Sequence, residues 1–393
     1  MIKQLLSFFL LISPFFLVAQ PIEEDTLSRK SSNSLEISGM YQRGHVFATN
    51  DFVRGINTEH EPISNFQAFS LSFSKQTTGE SEWEQRFLYP KWGLGIYLAD
   101  FYEKEQIGLP IALYGVFQAP FYRWEKLSLN YNIGFGATFN WKPFDPVSNQ
   151  FNIALGAGRS FLVDLGMNIS YPIGKYLELG AGFSLTHFSN GGLKQPNYGI
   201  NTVAPRLNLA YKLAPTPPFE HRIETKHTPG NEWLVGVFAG SKNVVFEDAP
   251  IEVVARYEGV FFPVLGVTTT FNRHITYKSK IGLGAALSYD GSTDAQAAVD
   301  EDELEAIPGP IIDKLQFSSF LSYELVVNKF ALILQPSFYI ARKKTLNQTP
   351  TFHQRIGIKY HFMPNIFAGI TLRTYQFHVS DFVEWNIGYR FGS

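Results

Sequence analysis

The chain is 393 residues long, with 36 Phe, 19 Tyr and 32 Gly, only 17% charged residues and a formal net charge of -2. That near-neutral balance gives no electrostatic case for nucleic acid. The absence of cysteine means that an exported chain holds together without disulfides. After the first residues there is no apolar run of about 18 residues, so no membrane helix is expected. Aromatic and glycine richness with low charge fits poorly with a soluble two-domain enzyme. It fits a transmembrane antiparallel β-barrel, whose strands show only a weak alternating signal.

Taken in order, Met1-Ile2-Lys3 is a short positive start, Leu5 to Val18 an apolar run, and Ala19-Gln20 a small or polar end. This reads as a secretory signal peptide over 1–20, too short and wrongly flanked for a spanning helix. Alternation and turn signals then place strands near 35–48, 66–75, 83–99, 108–120, 126–140, 152–171, 175–189 and 202–213. A Pro-rich linker covers 214–232. A second set follows within 233–393, near 233–242, 257–271, 275–289, 314–326, 329–342, 352–362, 365–376 and 382–391.

Connections alternate in length, for example the short PIGK against the long SNGGLKQPNYGIN. Short periplasmic turns opposite longer extracellular loops are the outer-membrane pattern, and an N-terminus starting in the periplasm puts Ser189 at the extracellular end of its strand. The all-β fold expected is one large barrel of up to sixteen strands. This is favoured because only the last strand carries an aromatic-rich ending and a single closure removes every edge; the alternative is two tandem eight-strand barrels. Five G-x-G triplets, such as Gly134/Gly136 and Gly180/Gly182, open no helix and complete no dinucleotide fingerprint. They read as curvature and packing positions of a barrel.

The stretch Lys175–Leu213 carries the chemistry. Leu177, Leu179, Ala181, Phe183 and Leu185 share one face of a strand, and His187 and Ser189 continue that face. On the next strand Asn201 has the parity of the apolar face formed by Val203, Pro205, Leu207, Leu209 and Tyr211. A Ser, a His and an amide can therefore meet on the lipid side of one hairpin, the arrangement of a nucleophile, its general base and the group that fixes the base's tautomer. The loop opening with Asn190-Gly191-Gly192 offers backbone N–H groups for an oxyanion. Polar residues at the wet end of a strand are the plainer alternative.

HFSNGGLKQPNYGIN resembles the signature of the PagL lipid A 3-O-deacylases, outer-membrane esterases related by name to acyloxyacyl hydrolases. The likeness rests on the H-x-S-N core, the small residues after it, the P-N-x-G spacing and the following strand. An order of eight strands over about 35–213 fits that family's small barrel. The resemblance implies Ser189 as nucleophile, His187 as base, and the backbone N–H groups of Asn190 and Gly192 as oxyanion donors. It also implies lipid A of lipopolysaccharide as substrate, at a site facing the outer leaflet of the outer membrane. The family's acidic third member falls on Asn201, whose amide fixes the tautomer without lending charge to an imidazolium. Glu384 is a poor substitute acid because its parity puts it in the lumen, and Asp381 and His378 lie near a loop that approaches the site only if the barrel closes favourably.

Other chemistry is not indicated. There is no G-x-S-x-G elbow, H-E-x-x-H or P-loop, and no metal or organic cofactor is implied. His221 and His227 read as linker residues, and Asp300–Glu305 as a solvated acidic loop. The competing function is an outer-membrane pore or structural barrel with a relict, weakly active motif, because a sixteen-strand barrel has room for a polar lumen.

Overall fold

The computed structural model describes residues 34–219, 229–244, 250–257, 259–346, 348–375 and 379–392. The signal peptide, His221, His227 and His378 lie outside these residues. Among the described residues no helix is long and apolar enough to cross a membrane.

Among the described residues sixteen strands form, all antiparallel to their neighbours, and they close as two barrels of eight. The first contains β1 Ser34–Val46, β2 Asn65–Gln76, β3 Lys91–Asp100, β4 Gly108–Arg123, β5 Ser128–Trp141, β6 Ser160–Ile173, β7 Leu177–Ser189 and β8 Ile200–Lys212. It closes where β1 pairs with β8, with Tyr41 opposite Leu207. The second contains β9 Asn231–Lys242, β10 Phe262–His274, β11 Ser279–Asp290, β12 Leu315–Val327, β13 Phe330–Ala341, β14 Phe352–His361, β15 Ile366–Tyr375 and β16 Val379–Phe391. It closes where β16 pairs with β9, with Ile387 opposite Val237.

The single sixteen-strand barrel is therefore corrected to the tandem arrangement. Closure needs only backbone hydrogen bonds between terminal strands, and β8 supplies them to β1 without the aromatic ending that β16 has. Eight strands also give an interior just wide enough for side chains to fill, and both halves carry the residues that fill it. In the first barrel Lys91 Nζ lies 2.8 Å from both Glu36 and Glu178, and Arg206 lies 3.3 Å from Asp164. In the second, Lys280 pairs with Glu232 at 2.8 Å, Lys359 with Glu324 at 2.6 Å, and Arg373 with Glu384 at 2.5 Å. Small residues make room for the large ones: a Cβ on Gly95 or Gly134 would stand 2.8 or 3.1 Å from the Tyr114 ring.

Three strands start later than the alternation predicts. Glu82–Arg86 is a short helix, its Glu82 and Arg86 paired one turn apart, so β3 begins at Lys91. Ile251–Tyr257 is likewise helical, and β10 begins at Phe262. Residues 152–158 form a loop pinned by Asn152, whose side-chain amide donates to the Gln106 and Lys142 carbonyls at 3.0 and 2.8 Å. An apolar run closed by two glycines mimics a strand until an Asn diverts its backbone.

One end of the first barrel is plugged by apolar residues. Phe52, Val53, Ile63, Ile107 and Leu155 from the loops join Phe66, Phe101, Trp141 and Phe188 from the strands in one buried cluster. The β7–β8 loop sits at this end.

Candidate active site on the outer wall

β7 alternates as predicted: Leu177, Leu179 and Phe183 are exposed on the outer wall, and Gly180, Ser184 and Thr186 are buried inward. His187 and Ser189 share the outward parity. Phe188, between them, points inward and anchors the strand end. Its ring packs against Trp141 at 5.2 Å, Phe101 at 6.0 Å and Tyr97 at 6.2 Å.

The β7–β8 register sets His187 directly opposite Asn201. His187 Nδ1 lies 2.7 Å from Asn201 Oδ1. Asn201 Nδ2 donates to Thr49 Oγ1 at 3.2 Å, which fixes which way the amide faces. Assigned from this network, the imidazole carries its proton on Nδ1 and leaves Nε2 as an acceptor. Ser189 is only 6% exposed despite its outward parity. It makes no hydrogen bond to His187, although both flank one glycine. A Cβ on Gly199 would lie 2.9 Å from His187 Cε1 and 3.5 Å from Ser189 Cβ, and Gly199 has φ of 72°. A bare glycine in the left-handed region is what this packing admits.

The loop after Ser189 differs from the expected oxyanion geometry. Asn190 N donates to Asn197 Oδ1 at 2.8 Å, and Gly192 N donates to Asn190 Oδ1 at 3.0 Å. Both of the backbone donors expected from the sequence are thus engaged by side chains within the loop. Gly191 N–H has no acceptor among the described residues. Asn190 Nδ2 closes the turn on the Lys194 carbonyl at 2.6 Å.

Sequence reasoning missed the residues that buttress this site. Asn50 caps the helix Asp51–Arg54 by accepting from Val53 N at 3.2 Å, and its Nδ2 donates to the Gly199 carbonyl at 2.8 Å. Thr49 holds Asn201, and Phe47 N donates to the Asn201 carbonyl at 2.8 Å. The signal available was Asn50 standing just before an apolar-acidic turn, an N-cap pattern; its long-range bond has no sequence signature. Of the further candidates, Glu384 faces the second lumen with Arg355 and Arg373. Asp381 is buried, with Lys242 among its electrostatic partners. The acidic run begins where Asp300 accepts from Leu346 N at 2.9 Å, and no group of three His, Asp or Glu with metal-holding geometry occurs among the described residues.

Down the same wall from His187, an apolar groove is lined by Met167, Ala181, Phe183, Pro205, Leu207 and Tyr41. These features define a class: tandem outer-membrane-type β-barrels, the first with a Ser, His and Asn on its lipid-facing side.

The chain belongs to the PagL family. The model of lipid A 3-O-deacylase (PagL) matches residues 67–211, and that of the acyloxyacyl hydrolase C-terminal domain matches 231–393. The two matches fall one on each barrel, so the second half, which the sequence motif left unexplained, is itself a family domain. No curated protein sequence matches the chain. Among solved structures, the outer membrane enzyme PagL is 17% identical, with a TM-score of 0.29, covering 44% of this chain and 97% of that one. The siderophore receptor PirA from Acinetobacter baumannii is 10% identical, with a TM-score of 0.24, over 88% of this chain and 53% of that one. PirA from Pseudomonas aeruginosa is 8% identical, with a TM-score of 0.22, over 93% and 82%.

Proposed function

We propose that the first barrel is an esterase that removes an ester-linked 3-hydroxyacyl chain from lipid A, with the site facing the outer leaflet of the outer membrane. The observation that carries this is the 2.7 Å bond between His187 and Asn201, made on the outward face beside Ser189. Ser189 Oγ attacks the acyl carbonyl carbon while His187 Nε2 takes its proton. The resulting tetrahedral oxyanion collapses, the ester C–O bond breaks, and Nε2 returns the proton to the departing sugar oxygen. Water, activated by the same nitrogen, then attacks the acyl-Ser189 and releases a 3-hydroxy fatty acid. Ser189 Oγ and Nε2 share no hydrogen bond in the free protein, and catalytic hydrogen bonds commonly tighten in the substrate complex.

Asn201 holds the Nδ1–H tautomer but lends no negative charge to the imidazolium. The hydrogen-bond map supports Gly191 N–H as the oxyanion donor in place of Asn190 and Gly192. A substrate that stays in the membrane lays its acyl chains on the apolar groove below His187, which supplies proximity without extraction. No cofactor takes part in this reading. The pore alternative finds no support in the lumens, which are filled by buried ion pairs.

Incubating the detergent-purified full chain with lipid A tests the proposal. Free 3-hydroxy fatty acid is expected from the wild type and not from Ser189→Ala or His187→Ala. Equal release from all three, or none from any, overturns it. Solute flux through reconstituted vesicles addresses the pore.

A further inference from the structure

Among the described residues the two barrels come into contact at both ends. At the end opposite the site, Arg86 lies 4.3 Å from the Tyr277 ring centre and Lys278 lies 4.6 Å from that of Phe87. At the site end, the Asn190–Gly192 turn meets the outer wall of β15 and β16. A Cβ on Gly191 would lie 3.3 Å from Val383 Cγ2 and 3.7 Å from Leu372 Cδ1. A Cβ on Gly192 would lie 3.0 Å from the Asp381 carbonyl oxygen and 3.4 Å from Ser380 Cβ. Both glycines have positive φ, 67° and 80°, so the backbone conformation favours glycine, and the close approach leaves room for little more.

The second wall is altered where the turn meets it. Arg373, paired with Phe382, ends the regular β15–β16 register, and the irregularity at Arg373/Thr374, where Thr374 pairs with Ser380, leaves Asp381 as the extra residue. That puts the Asp381 carbonyl against Gly192. Outward-facing Thr374 is buried here, and Leu372 and Val383 are partly covered. Farther from the site end on the same outer face, Ile370 and Trp385 are exposed, Trp385 at 62%. Along β15 and β16 the outward residue that is fully buried, Thr374, lies where the nucleophile's turn arrives.

We infer that the second barrel completes the site: Leu372, Val383 and the Asp381 carbonyl are positioning groups that hold the turn carrying the Gly191 N–H beside Ser189. This rests on the esterase reading of Ser189. The turn has two consecutive left-handed glycines, and the second barrel's wall adds a restraint to the hydrogen bonds within the loop. A lone eight-strand barrel would leave this side of the turn against lipid.

Because the chain has no cysteine, the contact can be read by itself. The 3.4 Å separation at Gly192 and Ser380 is near the Cβ spacing of a disulfide. Gly192→Cys with Ser380→Cys in the full chain is expected to crosslink on mild oxidation and give a shifted band on non-reducing electrophoresis. For function, Leu372→Ala with Val383→Ala is expected to lower kcat for lipid A about tenfold or more, with KM changed little. Leu372→Met restores packing and keeps the rate, and Trp385→Ala, away from the turn, leaves kcat unchanged. Absence of the crosslink, or an unchanged kcat in the double alanine variant of an active wild type, overturns this inference alone. A wild type that releases no fatty acid overturns the esterase reading and this inference with it.

Discussion

Replacing Asn201 by Asp changes one atom's identity at the most informative contact of the site. The side chains have the same shape, so the 2.7 Å approach to His187 Nδ1 is preserved. Thr49 Oγ1, which now accepts from Asn201 Nδ2, can instead turn its hydroxyl to donate to the new carboxylate. The change converts a neutral hydrogen bond, worth about 0.5–1.5 kcal/mol net, into a charged one worth about 1.5–3 kcal/mol. The gain is largest when the imidazole is protonated, which happens along the reaction and not in the resting enzyme. A difference of about 1.4 kcal/mol between those states raises the rate about tenfold. Initial rates of 3-hydroxy fatty acid release from lipid A by wild type, Asn201→Asp and Asn201→Ala measure this. The expected order is Asp above Asn above Ala. An Asp variant no faster than the Ala variant would refute the assignment of Asn201 as the group that orients His187.

Other expectations follow from the packing. Gly199→Ala puts a methyl 2.9 Å from His187 Cε1 at φ 72°, where an L-residue costs about 1–2 kcal/mol; activity should fall about a hundredfold as the ring is displaced, while the folded barrel persists on unheated electrophoresis. Phe188→Ala removes the aromatic anchor beneath the site and should destabilise the first barrel by about 3–5 kcal/mol in urea unfolding. Lys91→Met takes the ion-pair partner from Glu36 and leaves Glu178 with Lys212 and should cost about 3–5 kcal/mol by the same measurement, a loss that Glu36→Gln in the same chain partly relieves.

Much of this was legible in the sequence because a barrel strand has a two-residue period with lipid on one side. The parity of Leu177 to Ser189 placed His187 and Ser189 on the outer wall, and the parity of Asn201 put it on the same face across the hairpin. Strand count was readable for the same reason. Closure was not, since it depends on which backbone pairs with β1, and neither the aromatic ending of β16 nor its absence from β8 decides that. The engagement of the expected oxyanion donors was not legible because the side chains of Asn190 and Asn197 compete for backbone N–H groups within one turn, and sequence spacing does not say which bonds win. The part that Thr49 and Asn50 play at the site was invisible because their bonds to Asn201 and Gly199 span about 150 positions in sequence.

The most direct test of the central claim is mass spectrometry of lipid A from a lipopolysaccharide-bearing host that expresses the full chain. The account predicts loss of one ester-linked 3-hydroxyacyl group with the wild type and intact acylation with Ser189→Ala at equal outer-membrane levels. Unaltered lipid A with the wild type, or the same loss with Ser189→Ala, would contradict it.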